Sequence, residues 1–310
     1  MGNNLTIIAL GGNAILPKGA RGTPEEQWRT VEKAAIQLVE IVEENPRVII
    51  THGNGPQVGY LVEAFENLPP GKPRQTLDIA VAMTQGWLGY LIAHSLDRVL
   101  SGSSKPRIAA VVTRVMVSRR DPAFQNPTKF IGSYYTREEA EKLARERGWT
   151  MKPDPRGGYR RVVPSPKPLK VLEAGIVRSL VYSGAIVVAV GGGGIPVDEN
   201  LEPVEAVIDK DLASARLGIE VGASRLIILT DVPGVALNYG KPGEKWLGRI
   251  TLGEIKEYYA EGHFPPGSMG PKVQASIEFV EATGGVASIG SLGEAYRVYK
   301  MEAGTHIVPG

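Results

Sequence analysis

Short apolar runs alternate along this chain with longer segments in which apolar residues recur every three to four positions. The runs are rich in Val, Ile and Leu, which is typical of strands buried on both faces of a sheet. They predict strands at residues 5–10, 47–51, 107–113 continuing toward 117, 185–190, 225–230, 286–289 and 305–308. The periodic segments predict helices at residues 24–44, 75–100, 169–182, 251–259 and 271–281. This alternation predicts an α/β fold with an open, mainly parallel sheet between helix layers.

Residues 121–168 interrupt the alternation and predict a small inserted subdomain. Prolines are concentrated near both of its ends, and Gly157 and Gly158 lie between them. Inside the segment, Thr136 and Glu139 form a capping-box pattern that predicts a helix ending at Gly148. An insertion flanked by rigid proline segments can close over a site, so we predict that it acts as a lid.

Composition narrows the function classes. The 310 residues are 43% hydrophobic and 22% charged with a net charge of +2, and no basic stripe with interleaved aromatic residues indicates nucleic-acid binding. No apolar run approaches the roughly 18 residues that span a bilayer, so no membrane association is expected. The absence of cysteine excludes disulfides and thiolate chemistry and fits a reducing compartment, so we predict a cytoplasmic protein. The helix at 75–100 is apolar on most of its faces, which favours burial against a second subunit.

Glycine-rich turns and lysines supply the candidate chemistry. Turns at residues 11–13, 53–55 and 191–194 each follow a predicted strand and could offer backbone N–H groups to an anion. The alternating charges of Asp209, Lys210 and Asp211 follow an apolar triplet, and the two carboxylates would hold the lysine extended toward a phosphoryl group. The alternative is a helix start with an Asp N-cap. A P-loop and a dinucleotide fingerprint both fail on spacing.

Longer motifs carry a family resemblance across essentially the whole chain. The segments are 9–14, 51–59, 121–129, 207–211, 229–232 and 267–272. They resemble the carbamate kinase branch of the amino acid kinase family. The blocks at 51–59 and 126–129 are the most specific of them. The resemblance implies reversible phosphoryl transfer between ATP and carbamate, giving ADP and carbamoyl phosphate, in a homodimer that needs Mg²⁺ held mainly by phosphate oxygens and water.

The resemblance also implies roles for individual residues. The catalytic group would be Lys129, Asp209, Lys210 and Lys272, with Asp209 fixing the lysines. Substrate and phosphate would be bound by Gly11, Gly12, Asn13, Gly53, Asn54, Gly55, Gly192 and Gly193. The nucleotide would be bound by Asp231, Tyr239, Met269 and Gly270. The expected parts are an acceptor lobe (1–120 and 169–200), the insertion (121–168) and a nucleotide lobe (201–310). A relative acting on another small carboxylate or a nucleoside monophosphate, or a non-catalytic nucleotide sensor, remains the alternative.

Overall fold

A central sheet of eight strands organises the molecule. The computed structural model describes residues 4–17, 20–100, 106–154 and 157–310, apart from the side chain of Asn13. The strands of the sheet are β1 (Thr6–Leu10), β2 (Val48–His52), β3 (Arg107–Ala110), β9 (Ala185–Val188), β11 (Arg225–Thr230), β14 (Arg249–Thr251), β15 (Val286–Ser291) and β16 (Thr305–Val308). Their order is β14-β16-β15-β11-β1-β2-β9-β3, and only the β15–β16 pair is antiparallel. The predicted open, mainly parallel sheet is confirmed.

Smaller sheets and nine helices complete the described part of the chain. The short strands are β4 (Arg114–Met116), β5 (Lys129–Tyr135), β6 (Met151–Pro153), β7 (Tyr159–Val163), β8 (Lys170–Val171), β10 (Ile195–Val197), β12 (Ala236–Leu237) and β13 (Lys245–Trp246). The helices are α1 (Pro24–Glu44), α2 (Gly55–Glu66), α3 (Leu77–Val99), α4 (Arg137–Arg147), α5 (Ala174–Tyr182), α6 (Lys210–Val221), α7 (Leu252–Ala260), α8 (Met269–Thr283) and α9 (Ala295–Tyr299). None of the described helices combines the length and apolarity needed to cross a membrane.

The sheet is covered by helices on both faces because its strands are apolar on both. Successive residues of a strand point to opposite faces. In β1, Ile7 packs into one cluster with residues of α5, α6 and α8, whereas Ile8 packs into another with residues of α1, α3 and α9. Every residue of β1 and β2 is buried. The six-residue apolar runs of the sequence thus correspond to the centre of a three-layer structure.

Local capping signals fix the helix ends that the sequence predicts. The Thr23 hydroxyl accepts a hydrogen bond from the Glu26 N–H, and the Glu26 carboxylate accepts one from the Thr23 N–H, which makes the capping box that starts α1. Thr136 and Glu139 make the same box at α4, which ends at Gly148 in the left-handed conformation. Both predicted starts are confirmed.

Two predicted elements were wrong in extent, and the helix α2 was missed. The strand predicted from 107 toward 117 stops at Ala110, and β4 joins a separate sheet with β8 and β10. The helix predicted at 169–182 begins at Ala174, because β8 occupies its first residues. The turn at 53–55 leads directly into α2, a helix that the sequence analysis did not predict. In α2, Pro56 lies in the first turn, where a missing N–H costs nothing.

The described residues of the segment 121–168 form their own sheet in the order β5-β7-β6, with α4 beside it. It lies against α2, where a Cβ placed on Gly59 would be 3.7 Å from the backbone N of Gly132. Ion pairs also tie it to the rest of the molecule, between Arg147 and Glu66 and between Arg161 and Glu205. The segment is therefore attached along one side and covers the edge of the main sheet where β1 and β2 end.

Candidate active site

A cleft of about 690 Å³ opens at the carboxyl ends of the central strands. Loops that follow β1, β2 and β11 line it, together with the first residues of α2, α6 and α8 and with the start of β5. The ends of parallel strands meet at one edge of a sheet, so motifs that are far apart in sequence converge there. Of the sixteen site residues that the resemblance implies, fourteen lie in the lining of this cleft or directly behind it.

 Thirteen of them line the cleft directly, namely Gly11, Gly12, Gly53, Asn54, Gly55, Lys129, Gly192, Asp209, Lys210, Asp231, Tyr239, Met269 and Lys272.

Gly193 and Gly270 are not among the residues that line the cleft. Gly193 is buried behind the lining, where a Cβ would come within 2.3 Å of the Ile208 carbonyl oxygen. Gly270 faces away, since a Cβ there would be 2.9 Å from the Pro265 carbonyl oxygen. The absence of a side chain at Gly270 lets the start of α8 approach the Pro265 backbone, and its contact with the nucleotide stays a prediction. The side chain of Asn13 lies outside the described residues.

Close approach of backbones explains the glycines at one end of the cleft. A Cβ on Gly53 would lie 3.5 Å from the Gly12 Cα and 3.7 Å from the Lys210 Cδ, so these three residues are in contact. A Cβ on Gly192 would overlap the Asn54 amide at 2.1 Å. The loops after β1 and β2 thus approach each other through bare backbone beside the Lys210 side chain, and the loop after β9 packs on the Asn54 amide.

Two aspartates hold the three lysines. The Lys272 Nζ lies 2.8 Å from Oδ2 of Asp211, and the Lys210 Nζ contacts Oδ1 of the same carboxylate. The Lys129 Nζ lies 3.2 Å from Oδ2 of Asp209. The expectation that Asp209 fixes the lysines therefore applies to Lys129, whereas Asp211 holds the other two.

The first turn of α6 positions both aspartates. Oδ1 of Asp209 accepts hydrogen bonds from the backbone N–H groups of Asp211, at 2.9 Å, and Leu212, at 3.4 Å. Asp209 is thus the N-cap of α6, as the alternative reading of the charge cluster predicted. Its second oxygen is the one that binds Lys129. Asp209 is therefore both the N-cap of α6 and the ion-pair partner of Lys129.

Burial and mutual attraction set the charges of this cluster. Burial by itself would raise the pKa of Asp211, but the Lys210 and Lys272 ammonium groups outweigh it and lower that pKa to about 2. Burial lowers the pKa of Lys210, with the nearby Lys272 charge adding to the effect and Asp211 opposing it. For Lys272 the balance reverses: burial opposes, but Asp211 prevails and raises the pKa. The cluster carries more positive than negative charge toward the cleft, which suits a polyanion.

His52 is buried beside these groups and is neutral near pH 7. Its Nδ1 lies 3.0 Å from the Gly53 carbonyl oxygen, and since a carbonyl can only accept, Nδ1 carries the proton. Burial lowers the pKa of His52 to about 4, with the Lys210 charge adding to the shift. The imidazole therefore holds the loop after β2 and supplies no charge to the cleft.

The opposite end of the cleft is more apolar and more open. Tyr239 stacks edge-on against Trp246, with ring centroids 5.9 Å apart, at the β12–β13 hairpin. Met269 lies at the start of α8, and Asp231 follows β11. Phe264 and Pro265 also line this end. Sequence reasoning missed those two, although an apolar pair next to the 267–272 motif was a visible signal.

Asp211 was not among the site residues predicted from the sequence, although in the structure it binds two of the three lysines. Its contact with Lys272 joins positions 61 residues apart, where α6 packs against α8. No spacing rule along the chain connects these residues. The alternation of charges at 209–211 was the only available signal, and it indicated a contact with Lys210 alone.

Comparisons with known proteins agree with this geometry. Residues 4–290 match the model of the amino acid kinase family. A carbamate kinase from Thermococcus kodakarensis is 52% identical over 311 residues, covering 97% of this chain and 98% of that protein.

Solved structures give the same result. The structure of a carbamate kinase from Giardia lamblia bound to AMP-PNP is 39% identical and superimposes with a TM-score of 0.93, covering 99% of both chains. A structure from Aeropyrum pernix K1 is 53% identical with a TM-score of 0.94, covering 99% of this chain and 100% of that one. The likeness extends over the whole chain and confirms the resemblance predicted from the motifs. The chain belongs to the amino acid kinase family.

Proposed function

We propose that this chain is a kinase that transfers a phosphoryl group reversibly between ATP and carbamate, giving ADP and carbamoyl phosphate. The observation that carries the proposal is the convergence of Lys129, Lys210 and Lys272 in a cleft that glycine-rich turns also line. Full-length similarity to carbamate kinases, at 52% identity for the Thermococcus kodakarensis protein, supports the choice of carbamate as acceptor.

For this reaction the protein needs mainly to align the two substrates and to stabilise their negative charge. A carbamate oxygen is already anionic, so no general base is needed, and the neutral His52 is not one. The barrier is repulsion between two anions and their alignment. Lysines that point into a low-dielectric cleft stabilise the charge of the transferring group without reorganising. Asp211 keeps Lys210 and Lys272 in place before substrate arrives.

The two ends of the cleft divide the substrates. The acceptor and the transferring group lie against the glycine-rich loops after β1, β2 and β9, within the lobe of residues 1–120 and 169–200. The nucleotide lies in the lobe of residues 201–310, with its base near Tyr239 and Met269 and its ribose toward Asp231. The insertion, residues 121–168, acts as a lid that brings Lys129 to the phosphoryl group. The AMP-PNP complex of the similar Giardia lamblia protein supports nucleotide binding by this chain.

Mg²⁺ fits the site as a partner of the phosphates. The described residues hold no group of three or more His, Cys, Asp or Glu side chains arranged for a metal ion. Asp209 and Asp211 line the cleft but are already bound to lysines. Mg²⁺ retains water readily and binds phosphate oxygens, so nucleotide and water supply most of its ligands and the ion neutralises phosphate charge when bound.

The proposal includes a homodimer in the cytoplasm. Large apolar side chains are exposed on α1, α2 and α3, where α3 packs against both other helices, namely Ile36, Tyr60, Ile79, Met83 and Tyr90. A patch of this kind is typical of a subunit interface. The lack of cysteine suits a reducing compartment. Light scattering on the purified protein tests the dimer, and a monomeric mass at micromolar concentration would contradict it.

One assay tests the reaction. Purified protein with ADP and Mg²⁺ is given carbamoyl phosphate, acetyl phosphate or N-acetylglutamyl phosphate, and ATP formation is measured. We expect rapid ATP formation from carbamoyl phosphate and little from the other donors. A preference for N-acetylglutamyl phosphate would indicate a kinase for another carboxylate. Nucleotide binding with no ATP from any donor would indicate a sensor.

A further inference from the structure

The acceptor end of the cleft rests on two adjacent residues of α3 that do not line it. Thr84 is fully buried, and its Oγ1 lies 2.8 Å from the Nδ2 of Asn54. The same Oγ1 lies 2.7 Å from the Val81 carbonyl oxygen. A carbonyl can only accept, so the Thr84 hydroxyl donates its one proton to Val81. Toward Asn54 the hydroxyl can therefore only accept a hydrogen bond.

This network fixes which way the Asn54 amide is turned. The two ends of a side-chain amide have nearly the same shape, and only their hydrogen bonds distinguish them. Because Thr84 must accept, the NH₂ group of Asn54 faces Thr84. The carbonyl oxygen Oδ1 is therefore the end that remains to serve the cleft, which Asn54 lines.

The next residue on α3 holds the opposite wall. The Gln85 side chain makes two hydrogen bonds to the backbone of Thr113, at 2.7 Å and 3.0 Å. The Thr113 Oγ1 in turn accepts a hydrogen bond from the Val190 N–H at 3.1 Å. Val190 is a β-branched residue with φ of 53°, a strained conformation that needs such support. Val190 leads into the turn in which Gly192 packs against the Asn54 amide.

These contacts leave Asn54 without freedom to turn over. Gly192 covers the amide so closely that a Cβ there would be 2.1 Å from Nδ2 and 2.4 Å from Oδ1. One side chain of α3 therefore sets the amide orientation, and its neighbour holds the surface that packs against that amide. Oδ1 of Asn54 is therefore a fixed hydrogen-bond acceptor in the part of the cleft where carbamate is proposed to bind. Such an atom is suited to a substrate that carries an N–H group.

We propose that Thr84 is a positioning residue for substrate choice: it directs Oδ1 of Asn54 toward the amino group of carbamate and so discriminates carbamate from small carboxylates that lack an N–H donor. The proposal rests on the proposed function. Acetate has a methyl group where carbamate has its amino group, with nearly the same size. A site that hydrogen-bonds a substrate N–H rejects an analogue without one far more strongly than an apolar pocket does.

The test measures a ratio of specificity constants. Thr84→Val keeps the side-chain shape and removes the hydroxyl, whereas Thr84→Ser keeps the hydroxyl. For each variant, kcat/KM is measured with carbamoyl phosphate and with acetyl phosphate at saturating ADP, together with KM for ADP. We expect the carbamoyl-to-acetyl ratio to fall about tenfold or more in Thr84→Val. Thr84→Ser should keep the ratio of the unsubstituted protein, and KM for ADP should be unchanged in both.

A matched control separates this role from general loosening of a helix. The Thr30 hydroxyl on α1 donates a hydrogen bond of 2.8 Å to the Glu26 carbonyl oxygen, just as the Thr84 hydroxyl donates one to Val81. Thr30→Val should leave the ratio unchanged. The ratio is taken within one preparation, so unfolded protein cancels from it. If Thr84→Val does not fold, Thr84→Ala is measured in the same way.

Three results would overturn the proposal. They are an unchanged ratio in Thr84→Val, or in Thr84→Ala if that variant replaces it; a fall of similar size in Thr30→Val; and a failure of Thr84→Ser to retain the ratio. Failure of the proposed function looks different, because the unsubstituted protein would then form no ATP from carbamoyl phosphate. If the protein forms ATP from carbamoyl phosphate but its donor preference does not depend on Thr84, only the positioning role is contradicted.

Discussion

Two aspartates only two positions apart hold the lysines of the cleft in contrasting ways. The Asp211 side chain is 3% exposed and binds Lys210 and Lys272, which come from α6 and α8. The Asp209 side chain is 16% exposed and binds Lys129 of the insertion, whose own side chain is 37% exposed. One arrangement belongs to the interior of the molecule, and the other lies close to solvent.

The difference teaches which charges are fixed and which can move. Breaking a buried ion pair by removing one partner costs about 3–5 kcal/mol, because an uncompensated charge remains in the interior. An exposed pair contributes about 0–1 kcal/mol and is screened by salt. Lys210 and Lys272 are therefore permanent parts of the site, whereas Lys129 can separate from Asp209 at little cost when the insertion moves.

The largest effect is expected from Asp211→Asn. This change leaves two buried ammonium groups without their carboxylate, so we expect the free energy of unfolding to fall by about 3–5 kcal/mol and turnover to fall at least a hundredfold. Urea denaturation and the ATP-forming assay measure these quantities. Asp209→Asn is the matched control, since Asn also caps helices well and only the Lys129 contact is lost. Equal destabilisation by the two changes would remove the contrast.

Lys210→Ala should affect turnover more than folding. A group that stabilises transition-state charge contributes about 2–4 kcal/mol, so kcat should fall at least a hundredfold while the protein stays folded. Lys167→Ala is a control, because Lys167 pairs with Glu278 near the surface. Near-normal turnover of purified Lys210→Ala, with circular dichroism unchanged, would contradict the assignment.

The pH dependence of stability sharpens the contrast, because His52 belongs to the buried side. Its folded pKa is about 4 against an ordinary value of 6.5, so the unfolded chain binds the proton more readily. The contribution of His52 is complete above pH 6.5 and decreases as the pH falls toward 4. Between pH 7 and pH 5 it amounts to about 2 kcal/mol of lost stability.

Comparison with His52→Asn isolates this contribution, since an amide can still donate to the Gly53 carbonyl oxygen. Urea denaturation at pH 7 and pH 5 should show a smaller loss of stability for the variant. Other titrating groups, such as His306, are present in both proteins and cancel. An identical loss in the two proteins would show that His52 is not held neutral.

The smallest effect on stability is expected from Lys129→Ala. Because its ion pair is exposed, the free energy of unfolding should change by less than about 1 kcal/mol. Turnover should nevertheless fall, since one of three lysines is removed from the phosphoryl group. A destabilisation as large as that of Asp211→Asn would show that the insertion is a fixed part of the body.

Much of the fold could be predicted because its signals are local. The apolar runs predicted β1, β2 and β11, and the apolar periodicity of residues 24–44 predicted both ends of α1. The missed helix α2 begins in the turn at 53–55, where Gly and Pro resemble a break in structure. The chain leaves the main sheet after β3, and the backbone of Thr113 is bound there by Gln85, 28 residues earlier, which no local pattern indicates.

The site was predictable as a set of residues, but its pairing was not. Motif resemblance indicated Lys129, Lys210 and Lys272, each of which lines the cleft. Which carboxylate holds which lysine depends on how α6, α8 and β5 meet, and these elements are far apart in sequence. The same limit applies to Thr84, a buried residue in the middle of an apolar helix with no local sign of its contact with Asn54.

β1 has a mechanical consequence for the two half-sites. It is hydrogen-bonded to β2 on one side and to β11 on the other, so the loops proposed to bind the acceptor and the nucleotide start from neighbouring strands of one sheet. Strands in a sheet lie about 4.8 Å apart, and that spacing cannot stretch. With the proposed placement of the substrates, the sheet backbone sets the distance between phosphoryl donor and acceptor. We therefore expect a bulkier acceptor to require smaller side chains in the cleft, because the two strands cannot separate to make room.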